Sequence, residues 1–396
     1  MTWRRAALAG GAVLTLGLAA FGRGTWALGL LAAFTAWLAL RTARRQAAYF
    51  GAGMVRERGR ILADEVAGLE AVQGRPWALL THPGRQVSLL ELSTLKLRYR
   101  RGFPRPPLAA LADGEGRLLW ASEDRLHRSS PMGVDEAELG FEAPLLRQSY
   151  RLHLNDSGGL AALSTPWVLQ AFHPDLSGLD GRIRWEDAGH YFKYAALAPE
   201  GDSLCLAGTL LLDQDEGGGG STEARWGLWR RGPGTWVRAW AMAAESYANT
   251  QLRGVSYAAG GRRLLVELHQ QGYAFQLLDL GGALRWGRAG ERPVMNRSGT
   301  RLAYESEAGL HLCDGEGVEL WRWPHQERIR AKQVGEDGSV LLLEGLHLRR
   351  LDGRGVERWH RAWRQDPLHL ALAQEPWLAA ASGTRVAALR LPGWRP

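Results

Sequence analysis

Eleven histidines in a chain of 396 residues invite a search for a metal or proton site. His153, His311, His347 and His369 each stand in a Leu-His-Leu triplet, which on a strand turns the imidazole away from both leucines. Four such strands around a common axis would collect a ring of imidazoles, although alternating strands produce the same triplet with no ring at all. His-Glu-x-x-His and paired Cys-x-x-Cys spacings do not occur, and Cys205 and Cys313 are two lone thiols. Asp213, Asp215 and Glu216 lead into four glycines without the ligand order of an EF-hand, the pattern of a solvated loop. With no phosphate loop, nucleophile elbow or dinucleotide fingerprint, no catalytic, metal or cofactor-binding residue is assigned and no cofactor is expected.

The elements that would position such residues come in three stretches. Residues 1–60 carry nine arginines and one acid, a net of +8, which leaves 40 basic and 40 acidic side chains in the remainder. The basic pI of about 9.8 therefore belongs to the N-terminal piece, and nucleic acid is not an expected partner. Residues 6–21 and 25–40 are uncharged and separated only by Gly22-Arg23-Gly24. One straight helix through both would span roughly 50 Å and strand Arg23 in its middle, so two transmembrane helices in a tight hairpin fit a lipid bilayer better. Arg4 and Arg5 before the hairpin and Arg41, Arg44 and Arg45 after it place both ends in the cytoplasm. The expected location is the inner (cytoplasmic) membrane with the body on the cytoplasmic side; a periplasmic body, or a cleaved signal peptide, is the alternative. The membrane piece is thus residues 1–45. Over residues 46–75, Ile61, Leu62, Val66, Leu69 and Val72 repeat at helical spacing, which predicts a linker helix.

From residue 76 to 396 short apolar alternations are separated by glycine-containing turns, the grammar of strands. Two markers interleave. One is a turn before an apolar run, at Pro83-Gly84, Ser157-Gly158, Glu200-Gly201, Gly260-Gly261, Ser298-Gly299, Asp337-Gly338 and Glu375-Pro376. The other is Asp-x-x-Gly-x-x-x-Trp, at Asp113/Trp120, Asp279/Trp286, Asp314/Trp321 and Asp352/Trp359, with looser copies ending at Trp185, Trp236 and Trp394. The two alternate strictly, seven of each, which predicts an all-β, seven-bladed β-propeller, with six or eight blades as the alternatives. Each tryptophan is expected to wedge against the adjacent blade and each aspartate to accept backbone hydrogen bonds in its turn.

On these residues the chain resembles the tryptophan-docking repeats of quinoprotein-like (pyrroloquinoline-quinone-type) propellers and, more widely, WD40-like propellers, over residues 76–396. It departs from the quinoprotein pattern where threonine precedes the glycine: Glu115, Gly281, Glu316 and Arg354 stand there instead. The resemblance implies a fold and a docking role for the tryptophans, and no cofactor. It also implies a non-enzymatic interaction or assembly scaffold with a protein partner. A quinoprotein-like enzyme with its site in the central channel and a membrane-bound ligand sensor are the alternatives. Met132, Leu139, Phe141 and Leu145, in what reads as an insertion over residues 121–147, are the expected partner surface.

Overall fold

The computed structural model describes residues 56–396 apart from 73–74, 84, 142–150, 156–157, 212–221, 245–249, 270–271, 363–368, 373–376 and 392–396. The expected hairpin, Leu145, Trp394 and the Asp213–Glu216 stretch lie outside the described residues. No helix among the described residues is long and apolar enough to cross a membrane.

The described residues fold into eight four-stranded antiparallel sheets. Strand β1 (Arg56–Ile61) comes first. Blade 1 is β2–β5 (Gly68–Ala71, Trp77–His82, Gln86–Glu91, Lys96–Gly102) and blade 2 is β6–β9 (Ala109–Ala112, Leu118–Ala121, Arg125–Ser129, Asp135–Gly140). Blade 3 is β10–β13 (Arg151–Leu154, Ala161–Ser164, Val168–Phe172, Leu179–Arg184), followed by the short helix α1 (Trp185–Ala188). Blade 4 is β14–β17 (Tyr191–Leu197, Ser203–Leu211, Thr222–Gly232, Thr235–Ala243), and blade 5 is β18–β21 (Gln251–Ala258, Arg263–His269, Tyr273–Asp279, Leu284–Ala289). Blade 6 is β22–β25 (Glu291–Met295, Arg301–Ser306, Gly309–Asp314, Glu319–Trp323), and blade 7 is β26–β29 (Ile329–Val334, Val340–Glu344, His347–Leu351, Glu357–Ala362). Blade 8 joins β30–β32 (His369–Leu372, Trp377–Ser382, Arg385–Arg390) to β1, in the order β1-β32-β31-β30.

Closure rests on that last pairing. β1 runs antiparallel to β32 from Arg56↔Arg390 to Ile61↔Arg385, so the first described strand completes the last blade. Blade 8 then packs on blade 1 through Ala371, Ala379 and Ala388 against Ala78, Leu80 and Leu90. Small side chains on one sheet and leucines on the other let the two faces approach closely.

Two expectations are corrected here. The linker helix does not form over the described part of residues 46–75, where the chain makes β1 and β2 instead. The helical spacing of Ile61, Leu62, Val66 and Leu69 is overridden by pairing: Leu62 N–H donates to Thr384 O at 2.8 Å and Val66 N–H to Gly383 O at 2.9 Å. The first described propeller strand accordingly starts at Arg56, twenty residues before the expected boundary. The blade count is eight rather than seven. Pro83 ends the second strand's side of a β3–β4 connection, and Asp113/Gly116 forms the first turn of blade 2, whereas Asp279, Asp314 and Asp352 sit between third and fourth strands. Pairing residue 84 with Trp120 as one unit therefore merged two blades. The supposed insertion at 121–147 contains all of β8 and β9, the outer half of blade 2.

Candidate functional site

In each blade the first strand lies at one edge of its sheet, toward the axis. First-to-second and third-to-fourth turns share one face of the ring, here the turn face; second-to-third hairpins and interblade connections share the other, the loop face. At the turn face the first strands of blades 3 to 7 enclose a cavity of about 610 Å³. Its exposed lining is polar and apolar in near-equal parts: Leu152, Leu154, Leu197, Val255, Val294 and Val334 border it while also packing between blades, and Asn296, Arg297 and Gln333 bring polar groups to it. His153 also lines it; it shares a 3.0 Å hydrogen bond with Ser164 Oγ, and burial lowers its pKa to about 4. The other triplet histidines do not join it. His311 is on a third strand, as is His347, and His369 opens blade 8, so no ring of imidazoles converges. Among the described residues no group of three or more metal-ligating side chains is assembled.

The four Asp-x-x-Gly turns are built alike. Oδ1 of Asp113, Asp279, Asp314 and Asp352 each accepts two backbone N–H groups, from the residues two and four positions on, at 2.8–3.0 Å. In three of them the preceding blade's tryptophan donates Nε1–H to the carbonyl just after the aspartate: Trp240 to Leu280 O (3.0 Å), Trp286 to Gly315 O (3.1 Å) and Trp321 to Gly353 O (3.1 Å). Gly317 shows why glycine is needed there. Its φ is +88°, and a Cβ would come within 2.9 Å of Trp286 Cδ2. The Asp113 turn receives Arg75 Nε–H on Gly114 O (2.6 Å) and the Trp77 ring beside Gly116 instead.

The remaining tryptophans go elsewhere. Trp359 holds the same position on β29, next to the bulge, and is buried. Trp236 packs backward, with Cδ1 2.8 Å from where a Cβ on Gly181 of blade 3 would stand. Trp120, on a second strand, stacks on His127 (3.9 Å between centroids) within its own blade. Trp185 opens α1 and stacks on Tyr191 (4.7 Å), with Trp167 edge-on to both at 6.0 and 4.6 Å. Trp240 was missed because it stands six residues after its turn glycine, Gly234, rather than four. The docking position in blades 1, 2 and 3 is filled by Tyr99, Ala137 and Gly181.

Of the described residues of the expected partner surface, only Met132 faces solvent freely, 86% exposed on the β8–β9 turn. Phe141 is core, buried with Leu119, Leu126 and Phe172 between blades 2 and 3, and Leu139 packs partly against the same cluster. An apolar residue after the last strand of a blade is drawn under the neighbouring sheet, so this stretch corrects to blade packing.

Two hydrogen-bond chains escaped the sequence reading. Ser306 Oγ, His311 and Glu319 are linked in series: Nδ1 donates to Glu319 Oε2 at 2.6 Å and Nε2 accepts the serine hydroxyl at 2.7 Å, with the imidazole stacked on Tyr304. Blade 2 repeats the serine–histidine half with Ser122 and His127 (3.0 Å), the ring stacked on Trp120, while Glu138 stands 3.8 Å from Nδ1, beyond hydrogen-bond reach. The signal was present, as SEDRLH at 122–127 and SEAGLH at 306–311. The order is that of an acyl-transfer triad, but the Ser306 oxygen already accepts Ala308 N–H at 3.1 Å. Recurrence in two hairpins marks a strand-to-strand tie.

The second is ionic. Arg292, held at φ +51°, gives its backbone N–H to Glu267 of blade 5 (3.0 Å) and its guanidinium to Glu305 of blade 6 and to Ile329 O of blade 7. Glu305 also pairs with Lys332 of blade 7, both side chains almost fully buried. Burial lowers the Lys332 pKa and raises that of Glu267. The three glutamates of this loop-face end, Glu267, Glu305 and Glu344, each stand six residues after a turn glycine.

No family model matches the chain, and no curated protein matches it. Solved structures do: 1362 chains resemble it, so the likeness speaks to a common architecture and not to one activity. One is the crystal structure of BamB from Moraxella catarrhalis, with a TM-score of 0.58 over 85% of this chain and 100% of that one, at 10% sequence identity. At that identity the match shows the β-propeller fold alone.

Proposed function

We propose that this chain is a non-enzymatic protein-interaction scaffold, tethered to the inner membrane by residues 6–40 with its propeller on the cytoplasmic side. The observation that carries the scaffold reading is the aromatic cluster of Trp167, Trp185 and Tyr191. Its three rings are only partly buried, on the loop face between blades 3 and 4. Large rings held at a surface by loops are the residue types that dominate protein interfaces. Arginines at both ends of the apolar hairpin support the tether and its orientation.

The test is affinity capture of the full chain from detergent extracts of its own cells, comparing wild type with Trp185→Ala. A discrete partner lost on substitution, with circular dichroism unchanged, is the expected result; an unchanged partner set would remove this cluster from the account. Alkaline phosphatase fused after Pro396 is expected to stay inactive, and activity there would reverse the orientation.

A further inference from the structure

We infer that the turn-face cavity binds the C-terminal end of an extended polypeptide with apolar side chains, its terminal carboxylate meeting Arg297; this deepens the scaffold reading and rests on it. Three charged side chains bonded to the 296–300 segment are already engaged. Arg262 is engaged by Ala259 O and Ser298 O, Glu336 accepts from Asn296 Nδ2 and Ser298 N–H, and Arg301 donates to Thr300 O. Arg297 lines the cavity, is exposed, and has no hydrogen-bond acceptor or ion-pair partner among the described residues. An unanswered guanidinium beside a lining of mixed polar and apolar surface selects an anion carried on a chain that has both kinds of group.

Two further features favour a peptide over a simple acid. The first strands β10, β14, β18, β22 and β26 are all edge strands, so each turns one row of backbone groups toward the cavity with no neighbouring strand. An extended chain can answer such groups with its own amides, whereas an alkyl tail would leave them without partners. Beside the cavity, Gln333 Oε1 is buried with no donor. The volume of about 610 Å³ lies within the range of roughly 300–1,000 Å³ that holds a ligand of a few residues.

The probe is acetylated alanyl-leucyl-leucine as free acid and as amide, titrated calorimetrically into the full chain in detergent. The acid is expected to bind about tenfold more tightly than the amide, the worth of one charge-assisted pair. Arg297→Gln should erase that difference and leave the affinity for the amide unchanged. Ser256→Trp, at an exposed cavity-lining position on β18, should abolish both, with the melting temperature showing that the fold persists. Equal binding of acid and amide, no binding at millimolar peptide, or tight binding of dodecanoate with none of the peptide would each overturn the assignment. A partner captured as strongly by Ser256→Trp as by wild type, alongside failed peptide binding, would end this inference and leave the scaffold reading standing. Peptide binding without any captured partner would do the reverse.

Discussion

Replacing Gly317 by alanine tests whether an indole seated on a glycine holds neighbouring blades together. The substitution does two things at once. At φ +88° a Cβ costs about 1–2 kcal/mol in backbone strain. The same Cβ would stand 2.9 Å from Trp286 Cδ2 and 3.2 Å from two further ring atoms, so the indole must move. Moving it gives up the 3.1 Å bond from Nε1 to Gly315 O, worth about 1 kcal/mol. The expected loss is therefore about 2–3 kcal/mol, read from urea midpoints, with fluorescence and circular dichroism run together to check that the transition is cooperative. In a Trp286→Ala background the clash disappears and only the strain remains, so Gly317→Ala should then cost about 1–2 kcal/mol. The coupling of about 1 kcal/mol is the quantity that matters. If Gly317→Ala costs the same in both backgrounds, the indole does not sit on this glycine and the docking argument fails.

Removing residues up to Ile61 leaves blade 8 with three strands; loss of a single cooperative transition is expected, and an unchanged urea curve would show that β1 does not close the ring. Lys332→Met leaves Glu305 buried with Arg292 as its one remaining ionic partner; a loss of about 3 kcal/mol is expected, and a neutral result in chemical unfolding would dismiss the three-blade tie. His153 and His190 are both held near pKa 4 by burial, below the ordinary value of about 6.5. The unfolded chain then binds more protons than the folded one between pH 6.5 and 4, so stability is full above that window and falls as pH drops through it. Each histidine contributes a slope of about 1.4 kcal/mol per pH unit there, and a double His153→Leu, His190→Leu variant should unfold with a visibly flatter pH profile.

Much of this architecture was legible in order along the chain. Alternating strands, turn glycines and the Asp-x-x-Gly-x-x-x-Trp boxes of blades 5, 6 and 7 specify local structure directly. A left-handed turn needs glycine, and a carboxylate three residues before it can take the turn's free N–H groups. The same local signals misled in blades 1 and 2, where Asp113 marks a different turn from its three counterparts and Tyr99 or Ala137 stands where a tryptophan was looked for. Composition there records what a residue is good at, and not which of two turns on the same face it closes.

What the amino-acid order determined was the repeat, the strand character of the body and the separation of a basic apolar N-terminus from a neutral remainder, because turn chemistry and side-chain alternation act between neighbours. Tertiary structure alone decided that eight blades close, that β1 leaves its helical spacing to pair with β32 more than 300 residues away, and that Arg292 ties three blades together. It also decided that Arg297, without a partner among the described residues, lines the turn-face cavity. These depend on which surfaces meet around the ring, and pairing between distant segments is a property of the closed assembly that no local window contains.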